Sequence, residues 1–322
     1  PILIAGVFAT LIALERAVAT RTLLGRTWTF ADAAPVLTAA GLVVLLVNGP
    51  TLPAVALLTA GAAGLVAVNL FFLRRSPTLD VLTMVLGAGF LLLADAAWLA
   101  DRPVPFLTPW WAAFLVLTVV GERLELARLR AHGRLAHAAF GLAVAAYIAA
   151  LLLMLVDEGL GMRLSGVGLV ALTLWLLRFD IALVTVRRTG LPRFVAVCLL
   201  SGYAWLSIAG AVVLLSEPAF AGFSYDAYLH AILLGFVFAM VFGHAPIIFP
   251  AIVERPIGFH PFAYLPLALL HFSVALRILA DLAGNQMIRQ AAGVWTGVAV
   301  VLYAAFIVYG LLRGDTRPWR SA

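Results

Sequence analysis

Lysine is missing altogether from the 322 residues, and all 21 basic side chains are arginine. That removes every chemistry that needs a side-chain amine: a P-loop lysine, a Schiff base or a lysine nucleophile. Cysteine occurs once, at Cys198, which excludes an internal disulfide, a Cys-x-x-Cys redox pair, a thiolate zinc site and a c-type haem attachment motif. Charge of either sign is scarce, at 11% of residues, where a soluble domain carries about 25%. A water-soluble globular domain is therefore excluded. The pI of about 10.1 does not indicate a nucleic-acid partner, because the arginines sit in short loops between apolar segments, where they set topology.

What the chain has instead is apolar length. Hydrophobic residues make up 64% of it, and the mean hydropathy is +1.10. A bilayer is crossed by about 20 apolar residues, and eleven such stretches are present, at about 1–19, 31–48, 53–73, 79–99, 105–125, 135–156, 164–186, 192–215, 227–252, 261–282 and 290–312. Turn residues mark the short connections, as at Asn48-Gly-Pro, Arg75-Ser-Pro, Arg102-Pro, Thr189-Gly-Leu-Pro and Glu254-Arg-Pro-Ile-Gly. No linker, repeat or low-complexity tract interrupts them. The expected architecture is all-α: one polytopic transmembrane helix bundle over 1–322. Pro1 opens inside an apolar run with no initiator Met, so the reading is of an N-terminally truncated chain with a twelfth span upstream.

Arginines alternate between the two sides. Arg16, Arg21 and Arg26 follow the first span, Arg74 and Arg75 the third, and Arg123, Arg128, Arg130 and Arg134 the fifth. Arg187, Arg188 and Arg193 follow the seventh span, Arg255 the ninth, and Arg313, Arg317 and Arg320 close the chain. The opposite loops hold only Arg102, Arg163 and Arg289. The positive-inside rule then makes this a multi-pass protein of the cytoplasmic (inner) membrane, with the first span entering from outside and a cytoplasmic C-terminus. Trp98, Trp110 and Trp111 fall at the expected outer interface, Trp28 and Trp319 at the inner one.

Ionisable groups at membrane depth are costly and are functional candidates by default. His230 and His244 lie fourteen residues apart in the ninth span. At about 100° per residue this returns to within about 40° of one face and climbs roughly 21 Å. A helix carrying His, thirteen residues, then His resembles the helices that hold two stacked haems in membrane cytochromes b; two interhelical hydrogen-bond donors fit the spacing as well. Arg178 and Asp180 point away from each other on the seventh span, so each needs a partner elsewhere. Glu15, Glu122, His137 and His244 lie at similar depth, giving either a polar relay or a structural salt-bridge network. Asp95 reads as a snorkelling or capping group rather than a proton carrier, and Glu122 and Glu125 as an interfacial charge cluster.

The run Tyr228-Leu-His230-Ala-Ile-Leu-Leu-Gly235-Phe-Val-Phe-Ala-Met-Val-Phe-Gly-His244, ending at Phe249-Pro250, resembles the tenth helix of haem–copper oxidase subunit I. Pro1-Ile-Leu-Ile-Ala-Gly6-Val-Phe-Ala-Thr resembles that family's second helix just after its His-Gly pair, which would lie upstream of Pro1. The span count and direction agree with this alignment, and the stretch Arg277-Ile-Leu-Ala is similar to the related NnrS-type haem proteins of nitric oxide metabolism. The resemblance implies a haem–copper oxidase-like fold with one b-type haem near the outer leaflet, with His230 as an axial iron ligand. It also implies that the other axial ligand lies upstream. Tyr228 stands where the family has the high-spin haem ligand; tyrosine can ligate ferric haem, or it packs and hydrogen-bonds here. The fifth and sixth spans lack the family's copper-site histidines, so no copper is expected.

On the same resemblance, Gly6 and Gly235 would let helix backbones approach the porphyrin, and Phe236, Phe238 and Phe242 would line the ring or simply pack. His244 and His271 are further candidates for a second haem or a ligand swap. Arg277, with Arg289 as its second, would hold the haem propionates; alternatively, Arg277 snorkels or pairs with Asp281 one turn on. The function implied is electron transfer, or a redox role connected with nitric oxide or oxygen, with a redox protein or a quinone as partner. If the protein is an enzyme, it is an oxidoreductase. A small-substrate transporter or channel, and a non-catalytic anchor subunit of a redox complex, are the alternatives.

Overall fold

The structure is a computed structural model that describes residues 1–127, 133–217, 220–253 and 259–313. Those residues are mostly helical, with no strand among them. Eleven helices are long and apolar enough to cross a membrane, the number expected from hydropathy: α1 Ile2–Leu24, α2 Phe30–Asn48, α3 Leu52–Arg75, α4 Leu79–Leu99, α5 Val104–Ala127, α6 Arg134–Leu153, α7 Glu158–Phe179, α8 Gly190–Leu215, α9 Phe223–Ile248, α10 Pro261–Leu282 and α11 Gln286–Leu312. The chain is a multi-pass membrane protein. Of the topology-setting residues, Arg128, Arg130, Arg255, Arg317, Arg320 and Trp319 lie outside the described residues.

Two compact units divide the chain, 1–125 and 126–322. In the first, α1 to α4 pack each against the next, and small residues set the spacing. A Cβ on Gly61 of α3 would lie 2.4 Å from the Thr38 side chain and 2.9 Å from its backbone nitrogen, so only glycine lets α2 and α3 meet there. The α1–α2 turn is closed by Gly25, whose φ of 61° ends α1, and by a capping box in which Asp32 accepts from the Thr29 backbone at 2.7 Å. Arg21 pairs with the same carboxylate. The most enclosed helix is α5, 83% buried, and it carries Trp110 and Trp111 almost wholly out of solvent. The two tryptophans are therefore core residues, not an interfacial belt. Alternation of loop charge says nothing about which way a side chain on a span faces.

In the second unit, α6 packs on α7, α7 on α8, α8 on α9, and α10 on α11. Gly166 and Gly210 bring α7 and α8 together, since a Cβ on either would sit within 2.8 Å of the other's carbonyl oxygen. The seventh span ends earlier than hydropathy suggests, at Phe179 rather than near 186. Asp180 takes an extended conformation (ψ 147°), and its side chain accepts from the Ala182 backbone at 2.6 Å, starting the separate turn Ala182–Thr185. A side chain that caps a new turn competes with continuing the old helix.

Among the described residues, α9 departs from regular α-helix. In α9, residues Ala231–Val237 form a π-helical segment, with the Phe238 N–H bonded to the Leu233 carbonyl five residues back. Beyond it, Pro246 has no N–H to give the Phe242 carbonyl. The Tyr303 hydroxyl of α11 donates to that carbonyl instead, and the two rings stack at 3.8 Å and 8°.

Candidate functional site

A polar cluster of the second unit joins the Phe223 end of α9, the Leu282 end of α10 and the Gln286 end of α11. Asp226 is its hub. Its Oδ2 accepts from Arg277 Nε at 3.0 Å, from Arg277 Nη2 at 2.6 Å and from Arg289 Nη2 at 3.0 Å. Asp281, fully buried on α10, pairs with Arg289 and lies 3.5 Å from Arg277 Nε. Arg277 also donates through Nη1 to the Arg289 carbonyl at 3.0 Å. Two arginines thus meet two aspartates, so the cluster balances its own charge. Asp226 suits its place for a further reason: it sits in the first turn of α9, where unbonded N–H groups favour an anion.

His230 lies one turn beyond Asp226. Its Nδ1 is 2.8 Å from the Asp226 backbone carbonyl and 3.5 Å from the Asp226 carboxylate. A carbonyl can only accept, so Nδ1 carries the hydrogen in the neutral ring and the Nε2 lone pair is available. This is the arrangement that fixes a metal-ligating histidine. Ligand atoms of Asp226, His230 and Asp281 also lie within 4.8 Å of one another. Both carboxylates are already committed to guanidinium groups, so the trio forms an ionic network and not a cation cage.

His271 is oriented the opposite way. Trp205 Nε1, which can only donate, bonds His271 Nδ1 at 2.8 Å, and the two rings stack at 6.2 Å and 28°. The hydrogen is then on Nε2, a buried atom with no hydrogen-bond partner among the described residues. A neutral His271 in this state has no lone pair left for iron. His244 resembles His230 in its bonding, with Nδ1 2.7 Å from the Met240 carbonyl. It does not share His230's face. A π turn holds more than the α-helical 3.6 residues, so rotation per residue falls below 100° along Ala231–Val237 and widens the roughly 40° gap counted on a regular helix.

The other expected positions have occupants of their own. A Cβ on Gly235 would meet the Trp205 ring at 2.4 Å, and one on Gly6 would meet Leu42 at 2.6 Å. Both glycines admit a neighbouring side chain. Phe236 and Phe242 are fully buried, Phe242 against Tyr303. Tyr228 is 1% exposed, and its hydroxyl has no hydrogen-bond partner among the described residues. Asp95 neither snorkels nor caps: it is buried and accepts from Trp111 Nε1 at 2.8 Å. Arg178 is exposed at the end of α7, stacked on Phe179, whereas Asp180 is buried and accepts from the Tyr203 hydroxyl at 3.0 Å. The two do not share one relay.

Sequence reasoning singled out His230, Arg277 and Arg289 and missed Asp226, which joins them. The available signal was the four-residue spacing to His230, which puts both on one helical face. The hydropathy boundary hid it, since the apolar stretch starts at 227 whereas the helix starts at Phe223. No curated protein and no solved structure matches the chain. One family model does, over residues 1–311, and the chain accordingly belongs to the family described as Domain of unknown function (DUF8744).

Proposed function

We propose that this is a b-type haem-binding, electron-carrying protein of haem–copper oxidase-like fold, with His230 Nε2 as one axial ligand to the iron. The observation that carries the reading is the tautomer lock on His230: the Asp226 carbonyl holds Nδ1–H and leaves Nε2 to coordinate. The π segment beginning at the next residue supports it, because such segments concentrate at functional sites. The donor set fits a low-spin iron ligand at this position and no other part of the expected pocket equally well. Arg277 and Arg289 already serve Asp226 and Asp281, so they would reach a propionate only as shared donors, and Gly6 and Gly235 face side chains. Bound between two imidazoles, the haem would supply one-electron transfer without an open coordination site. His230 would orient the ring, Asp226 would fix His230, and the paired arginines would hold Asp226. The arginine alternation supports a cytoplasmic C-terminus in the cell's inner membrane, and a quinone or a redox protein would exchange the electrons.

The test is the reduced-minus-oxidised spectrum of the natural full-length protein. A b-type band is expected in the wild type and in His271→Ala, and its loss in His230→Ala. A colourless wild type from cells with normal haem supply, or full haem occupancy in His230→Ala, would overturn the assignment.

A further inference from the structure

The first unit contains a carboxyl that the reading above does not use. Asp95 lies on the membrane-spanning helix α4, one turn before its end at Leu99, and is 5% exposed. Its one hydrogen-bond partner among the described residues is the Trp111 indole N–H, a neutral donor held edge-on against Trp98 at 5.7 Å. Beside the carboxyl is a cavity of about 10 Å³, the size that holds a single water. Ala5, Gly6 and Ala9 of α1, Thr38 of α2, Leu58 of α3 and Trp111 of α5 wall it. No side chain lining it, on any of the five helices that contribute, is titratable apart from Asp95 itself.

We propose that Asp95 is a proton-binding site on a membrane-spanning helix, whose carboxyl takes up and releases a proton through one enclosed water. The alternatives fail on composition. A structural ion pair needs a cation, and no arginine or histidine pairs with Asp95 among the described residues. A monovalent or divalent metal ion needs several oxygens. The cavity offers only the Asp95 carboxyl and the Thr38 hydroxyl, whose hydrogen goes to the Ala34 carbonyl at 3.0 Å. These are too few oxygens for such an ion, but they are the two polar partners that a water needs. A proton needs only the carboxyl and a carrier. The Trp111 N–H occupies Oδ1, leaving Oδ2 to bear the hydrogen and to meet the water. The small residues of α1 leave space for that water where larger ones would close it. Carboxyls within membrane-spanning helices are rare and mark ion pathways and proton relays among other functional sites.

Infrared spectroscopy of the protein in lipid reads the proton directly. At neutral pH the wild-type minus Asp95→Asn difference should contain a protonated-carboxyl C=O stretch that shifts in deuterated water, showing exchange. Asparagine is nearly isosteric and keeps an oxygen for Trp111, so helix content and thermal midpoint should change little. Dicyclohexylcarbodiimide, which attacks protonated carboxyls in apolar surroundings, should modify the Asp95 peptide in the wild type. Absence of the protonated band at neutral pH overturns the proposal. So does a band that never exchanges, since that describes a permanently sealed acid. Loss of the band on adding sodium would also overturn it, in favour of a cation site.

Discussion

The Asp281 side chain is fully buried, and its charge is answered by Arg289 and, at longer range, by Arg277. Removing one member of a buried ion pair leaves the other uncompensated and costs about 3–5 kcal/mol. Asp281→Asn should therefore lower the unfolding midpoint in detergent substantially, and the double variant Asp281→Asn, Arg289→Gln should recover part of the loss. Equal destabilisation by the single and double variants would contradict the coupling. Tyr303 makes a smaller contribution. Its hydroxyl satisfies the Phe242 carbonyl that Pro246 leaves open, so Tyr303→Phe should cost on the order of 1 kcal/mol, within the range found for hydrogen bonds between transmembrane helices. An unchanged midpoint would mean that water or another group takes over the carbonyl. At this scale the sequence was partly legible. That Arg277 is paired was readable because an arginine in an apolar run must find a partner. Its pairing with Asp281 one turn on was legible from the spacing, whereas its closer pairing with Asp226 was not, because that one crosses from α10 to α9 and depends on their relative rotation.

Rotation is also what limits inference for a whole helix. Hydropathy located all eleven spans, since length and apolarity are sums over residues and tolerate local error. The π segment of α9 is invisible to such sums. It changes the angular register of every residue beyond it, and so separates His244 from the face of His230. Gly235 sits within that segment and admits Trp205, which in turn bonds His271. Gly235→Ala would place a Cβ 2.4 Å from the Trp205 ring. Overpacking of this kind costs about 1–3 kcal/mol. The expected result is a lowered midpoint together with an altered Trp205 fluorescence spectrum, and a variant indistinguishable in both would show that the ring has room to move. The early end of α7 has a similar origin, because Asp180 bonds a backbone N–H two residues on, a local competition that apolar averages do not register.

For the molecule as a whole, burial differs sharply from helix to helix. In α5, 83% of the apolar window is buried, whereas in α11 only 22% is, although both are apolar enough to span. Apolarity therefore reports that a helix avoids water and not whether it meets protein or lipid, which is why Trp110 and Trp111 were placed at a lipid interface when they belong to the core. Topology rests on a simpler rule and has a direct test. Reporter fusions after α1, α3 and α7 should read cytoplasmic, and fusions after α4 and α6 external; the reverse pattern would break the arginine argument.

The four-charge cluster also constrains how the chain is made. Helices enter the bilayer in order, so Asp226 on α9 arrives before any of its partners. Arg277 and Asp281 follow on α10, and at that stage two carboxylates share one guanidinium. Neutrality is reached only when Arg289 arrives at the start of α11, 63 residues after Asp226. Until then the partly inserted protein carries an unanswered negative charge near the membrane surface. The last helix, the least enclosed of the eleven, is thus the one that completes the charge balance of the two before it.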